Sequence, residues 1–109
     1  MSLILTPELG TTTRAALERL LAVADGNTAQ ARHVADFLLA WWAPDIYGGF
    51  ALTALWELDD ELARACVLVF AWVAANRADP AMVGYGAQFE ALFQRVGCAA
   101  AGEWGQLAS

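Results

Sequence analysis

Apolar residues recur at helical spacing along most of the chain. Over residues 13–24, Leu17, Leu20, Leu21 and Ala24 fall at i, i+3, i+4 and i+7, and the pattern stops at Asp25-Gly26. This predicts a first helix, with Arg14 and Glu18 paired at i,i+4 on its other face. A second helix is expected over residues 28–42, opened by Asn27 as cap with Gln30 reaching back as in a capping box, and ended by Pro44. Val34, Phe37, Leu38 and Trp41 make one stripe of it and Ala35, Leu39 and Trp42 a second, so its far end is apolar nearly all round.

Residues 43–51 hold Pro44, Gly48 and Gly49 without a helical period and read as a Gly-rich connecting loop. Thr53 then has the character of a cap for a short turn over 54–57, which would sink Leu55 or Trp56 into the core. Asp59 is placed to cap a third helix whose first turn carries Asp60 and Glu61, where the helix dipole favours acids. Its periodic residues run through Leu62, Cys66, Val69 and Val73 to Arg77. The interior ACVLVFAWVAA has enough Val and Phe to suggest a strand, but the length and the Ala-rich flanks favour a helix. At 11 apolar residues it is about half of the ~20 that a membrane crossing needs. After Asp79-Pro80, a last helix is expected over 87–96, with Phe89, Leu92, Phe93 and Val96 on one face, and 98–109 read as a loose tail pinned at Trp104.

These elements predict an all-α fold: a single compact helical domain, residues 1–109, of about four helices with a Gly-rich connecting loop. Its core is expected to hold Leu38, Cys66, Val69, Val73 and Phe89.

Composition narrows the function. Apolar residues make up 59% and charged residues 17%, which excludes a disordered chain. Twelve acids against six bases give a net charge of -6; all six bases are Arg, and they fall singly along the chain. A protein that grips phosphates needs a clustered positive face, so direct nucleic-acid binding is not expected, and neither is a membrane span. Two cysteines are too few for a disulfide scaffold and the N-terminus lacks the basic start of a signal peptide, so the expected setting is the cytoplasm, with Cys66 and Cys98 unbridged.

Candidate chemistry is sparse. The two serines are terminal, which argues against a Ser-His-Asp arrangement, and the single histidine, His33, would have to activate a cysteine such as Cys66 that lies in the most apolar segment. His33 and Asp36 share a helical face at metal-ligand spacing, against the alternative of an exposed His beside an Arg32-Asp36 pair. Gly48-Gly49 and Gly84-x-Gly86 lack a phosphate-binding frame. No catalytic residue, cofactor or metal is therefore assigned.

Two surface features stand out instead. Glu57, Asp59, Asp60 and Glu61 place four carboxylates within five residues, either as a solvated helix start or as a docking patch for a basic partner. Trp41 and Trp42 diverge by about 100° on one helix, so both cannot enter the same interface equally. Trp42 with Tyr47 and Phe50 of the connecting loop forms a candidate contact surface, the alternative being a loop folded onto its own core. If Leu39 and Trp42 face outward, they make a self-complementary ridge suited to a two-fold homodimer.

The segments QARHVADFLLAWW, GGFALTALWELD and GYGAQFEALFQR, within residues 22–95, resemble a family of short, uncharacterised bacterial proteins often encoded in integrative mobile elements. The chain departs from that family's pattern at Ala51 and Ala54, where the pattern has acids. The resemblance implies an accessory protein of a mobile element that meets other proteins rather than metabolites. The function expected from the residues is a non-enzymatic, acidic interaction module, an inhibitor or adaptor docking on a basic surface of a nucleic-acid-handling complex. The alternative is a small-ligand binder with an aromatic pocket between the second and third long helices, and a small enzyme ranks third.

Overall fold

A computed structural model describes residues 9–47 and 49–96; the expectations for Cys98, Trp104 and the tail fall outside them. All regular structure among the described residues is helical. Helix α1 spans Thr11–Ala24, two residues longer at its start than the periodicity suggests, and buries Ala16, Leu17, Leu20 and Ala24. Arg14 and Glu18 meet through a third residue rather than directly: the Arg14 guanidinium donates to the Tyr85 hydroxyl at 3.0 Å, and that hydroxyl donates to Glu18 at 2.6 Å. Helix α2, Ala29–Trp42, is capped by Thr28, whose side chain accepts from the Ala31 amide at 3.0 Å, in place of the expected Asn27. It buries Ala31, Val34, Ala35, Leu38 and Leu39, the i, i+3, i+4 spacing of an inward stripe.

The connector is more ordered than a Gly-rich loop, and the helical segments outnumber the four expected. Pro44–Tyr47 is a short helix, α3, started by a proline whose missing N–H costs nothing in a first turn. Leu52–Glu57 follows as a 3-10 segment preceded by Ala51, so Thr53 caps nothing. Leu55 packs against the core, while Trp56 stays 82% exposed. Helix α4, Asp60–Asn76, buries Leu62, Ala65, Cys66 and Val69; Val73 is half-buried at the rim. Asp59 occupies its N-cap position without making the side-chain cap bond. A 3-10 turn, Pro80–Val83, is capped by Asp79, and helix α5 covers residues 86–96 with Phe89, Leu92 and Val96 buried.

Side-chain contacts fix the helix directions. The α4 start lies at the α2 start through Gln30 and Asp59, and Trp72 meets Trp41 near the α2 end at 6.3 Å, so α2 and α4 run parallel. Arg19 pairs with Glu61 at 3.1 Å, and Thr12 borders the same groove as Leu68, which sets α1 antiparallel to α4. Tyr85 lies beside Arg14 and Glu18, and the Arg95 guanidinium donates to the Ala24 carbonyl at 2.6 Å, so α5 runs parallel to α1. That last bond satisfies a carbonyl left open at the α1 C-terminus and brings positive charge to the negative end of the helix dipole. Phe89, wholly buried, receives Trp41 edge-on at 5.5 Å and Trp42 at 5.8 Å, and joins α5 to the end of α2.

Candidate interaction site

A parallel pair of helices needs a crossover, and here it doubles back along α2. Three contacts pin it. Phe50 meets Phe37 edge-on at 5.4 Å, Glu57 meets His33 at 3.3 Å, and Gln30 accepts from the Asp59 amide at 2.7 Å while its own amide reaches the Asp59 carboxylate at 3.5 Å. Residues 30, 33 and 37 are spaced 3 and 4 apart, so one stripe of α2 receives the returning segment at three points. Gln30 is thereby withdrawn from the capping role its position suggests, and Asp59 from capping α4.

The crossover and α2 enclose an open cleft of about 400 Å³. Asp36 and Glu57 supply carboxylates to its wall, Tyr47 and Phe50 supply aromatic surface, and His33 and Thr53 complete the polar lining. Tyr47 is held by the α5 residue Phe93, ring to ring at 5.8 Å and nearly perpendicular. Asp36 carries Arg32 at 3.5 Å, as the i,i+4 spacing predicts. Ala51 and Ala54 also line the cleft.

The structure divides the residues singled out by sequence. Tyr47, Phe50 and Glu57 come together at the cleft, whereas Trp42 lies half-buried against Phe89. The four carboxylates separate as well: Glu57 faces His33, Asp59 is held by Gln30, Glu61 pairs with Arg19, and Asp60 is exposed. Cys66 is buried in α4, where desolvation pushes its thiol up to about 11. Tyr85 is also raised, first by burial and then by its bond to Glu18, with Arg14 opposing. No three His, Cys, Asp or Glu side chains among the described residues gather to hold a metal ion.

A second depression, about 440 Å³, lies between α2 and α4. Trp41, Phe37 and Pro44 form one wall, Phe70 and Val73 of α4 the other, with Phe50 and Leu52 at the lip. The Trp41 indole is fixed by donating to the Ala78 carbonyl at 2.9 Å. Sequence reasoning missed Gln30 as a strut; a Gln on the same stripe as His33 and Phe37 was its only signal.

Residues 14–97 match a family described as a family of unknown function, DUF7673. The chain belongs to this family. The DUF7673 match takes in α1 from Arg14 onward, the crossover and the cleft, and so covers every residue that shapes the candidate site. No curated protein and no solved structure matches the chain. Among the described residues, no helix is long and apolar enough to cross a membrane.

Proposed function

We propose that this chain is a non-enzymatic protein-interaction module whose cleft takes a basic side chain, of the arginine type, from a partner protein. The observation that carries this reading is the lining of the cleft: two carboxylates, Asp36 and Glu57, beside two aromatic rings, Tyr47 and Phe50. A guanidinium suits that lining because it forks to a carboxylate and stacks on a ring face. The net charge of -6 draws a basic surface toward the chain before contact is made. In the setting implied by the mobile-element resemblance, the partner is a basic protein of a nucleic-acid-handling complex in the cytoplasm, inhibited or bridged by this chain.

The test is binding of a fluorescent nonaarginine peptide by anisotropy. Asp36→Asn with Glu57→Gln is expected to weaken binding on the order of tenfold or more, whereas Asp25→Asn with Glu90→Gln, equal in charge and away from the cleft, leaves most of it. Equal losses in both pairs would reduce the binding to general charge attraction and remove the cleft from the account. A second reading, a small apolar ligand, is favoured by the aromatic depression between α2 and α4, whose volume of about 440 Å³ lies within the ordinary range for ligand sites.

A further inference from the structure

Helix α4 is apolar almost all round, yet only one side of it is covered. Between Arg64 and Arg77 it carries no charged residue, and Val67 and Phe70 are 57% and 62% exposed, with Ala71, Ala74 and Ala75 exposed beside them. A helix with apolar residues on every side is normally enclosed on every side. The expected ridge of Leu39 and Trp42 does not form, because Leu39 is wholly buried and Trp42 packs on Phe89. The outward apolar stripe belongs to α4 instead.

That stripe has an order that selects its cover. Asp60, Ala63, Val67, Phe70 and Ala74 of α4, with Arg77 at its left-handed C-cap, are spaced 3, 4, 3, 4 and 3 apart, the seam spacing of a two-helix coiled coil; Ala63 is half-buried at the edge of the core and the other five are exposed. It begins with an acid and ends with a base, and among the described residues neither end has a charged partner. Rotated by a two-fold axis between positions 68 and 69, the stripe is its own complement. Val67 faces Phe70 of the second copy, Ala63 faces Ala74, and Asp60 faces Arg77, each pairing occurring twice. A parallel arrangement would set Asp60 against Asp60 and Arg77 against Arg77.

We infer that α4 is a self-association surface, and that two copies of this chain pair through it as an antiparallel, two-fold dimer. The cleft lined by His33, Asp36 and Glu57 shares no residue with the stripe and stays open in such a dimer. The strip is small. Seventeen residues at ~1.5 Å each give a helix of ~25 Å, and one helix face of that length falls short of the ~800 Å² per partner of a standard interface. The dimer is accordingly reversible, with Kd on the order of 10–100 μM.

Sedimentation equilibrium of the full chain, from about 1 to about 500 μM, tests this. The native protein is expected to pass from monomer to dimer across that range. Phe70→Glu, at an exposed position that leaves the fold intact by circular dichroism, is expected to stay monomeric. Asp60→Arg and Arg77→Asp each set like charges against one another and are expected to weaken pairing on the order of tenfold. An equimolar mixture of the two is expected to recover it, because both charge contacts become attractive again. A native protein that is monomeric throughout, a dimer that survives Phe70→Glu, or a mixture no tighter than its components would each overturn the inference. If the charge variants lose their helical signal, Phe70→Glu still decides.

Discussion

Replacing Phe89 by Ala removes the ring on which the end of α2 and the start of α5 close. Phe89 has no exposed surface, and both neighbouring indoles rest on it. Burying a Phe side chain withdraws ~150–250 Å² from water. At ~25 cal/mol per Å² the transfer contribution is ~4–6 kcal/mol, an upper figure because the unfolded chain is itself partly collapsed. Measured Phe→Ala losses in cores cluster at about 3–5 kcal/mol, so we expect Phe89→Ala to cost ~4 kcal/mol. Phe89→Leu, which keeps most of the volume and loses the ring contacts, is expected to cost ~1–1.5 kcal/mol. Equilibrium urea denaturation at a concentration where the chain is monomeric, followed by both tryptophan fluorescence and far-ultraviolet circular dichroism, measures the difference. Against a total of ~5–15 kcal/mol, the Ala variant stands near its folding threshold. A loss under ~1.5 kcal/mol with an unchanged m-value would mean that α5 does not close the core through this ring. Phe93, one turn further along α5, supports Tyr47, so the same variant also loosens the cleft wall.

Further outcomes rest on Cys66, on Gln30 and on the two left-handed positions. Cys66 in the folded chain should resist iodoacetamide at pH 8 when modification is mapped by mass spectrometry, because its thiol lies at about 11; rapid alkylation would place it outside the core. The raised thiol also makes stability fall with alkali: the unfolded thiol ionises above its ordinary 9.0 while the folded one stays neutral until about 11, so stability present below pH 9 is lost between the two, by roughly 2–3 kcal/mol, and Cys66→Ala should flatten that slope. Gln30→Ala should cost about 1 kcal/mol and raise amide hydrogen exchange over residues 50–58, since both bonds to Asp59 are lost; unchanged exchange would show that the strut is idle. Arg77, held at φ 49, should be improved by Arg77→Gly by up to ~1 kcal/mol, whereas Gly84→Ala at φ 91 should cost ~1 kcal/mol or more, and thermal melts that reverse these signs would contradict both backbone assignments.

The long helices were legible because a helix that packs against one core announces its inward face. Leu17 and Leu20 in α1, Val34 and Leu38 in α2, and Cys66 and Val69 in α4 all carry the spacing that predicts their burial. The crossover was not legible. A four-residue helix and a six-residue 3-10 segment are too short to show a period, and Leu55 and Trp56 differ in fate only because Leu55 turns toward the core while Trp56 turns away. Caps were misread where a distant partner competes: Gln30 and Asp59 each look like local caps, but each satisfies the other across the crossover. The acidic run illustrates the same limit, since Glu57 and Asp59 turn to His33 and Gln30 on α2, Glu61 turns to Arg19 on α1, and Asp60 is exposed. Half of the candidate site was visible as residue types, in Tyr47, Phe50 and Glu57. Their meeting with Asp36 depends on the return path, which local spacing does not encode.

In the proposed function the cleft, rather than the acidic chain as a whole, receives a basic side chain. Chemical-shift mapping by two-dimensional ¹⁵N–¹H NMR during titration with an arginine-rich peptide tests it most directly, because it reports where the peptide sits and not only that it binds. Saturable shifts are expected at the amides of His33, Asp36, Tyr47, Phe50 and Glu57, lost in the Asp36→Asn, Glu57→Gln variant. Shifts centred instead on Asp60 and Glu61, or spread without saturation over every acidic residue, would contradict it.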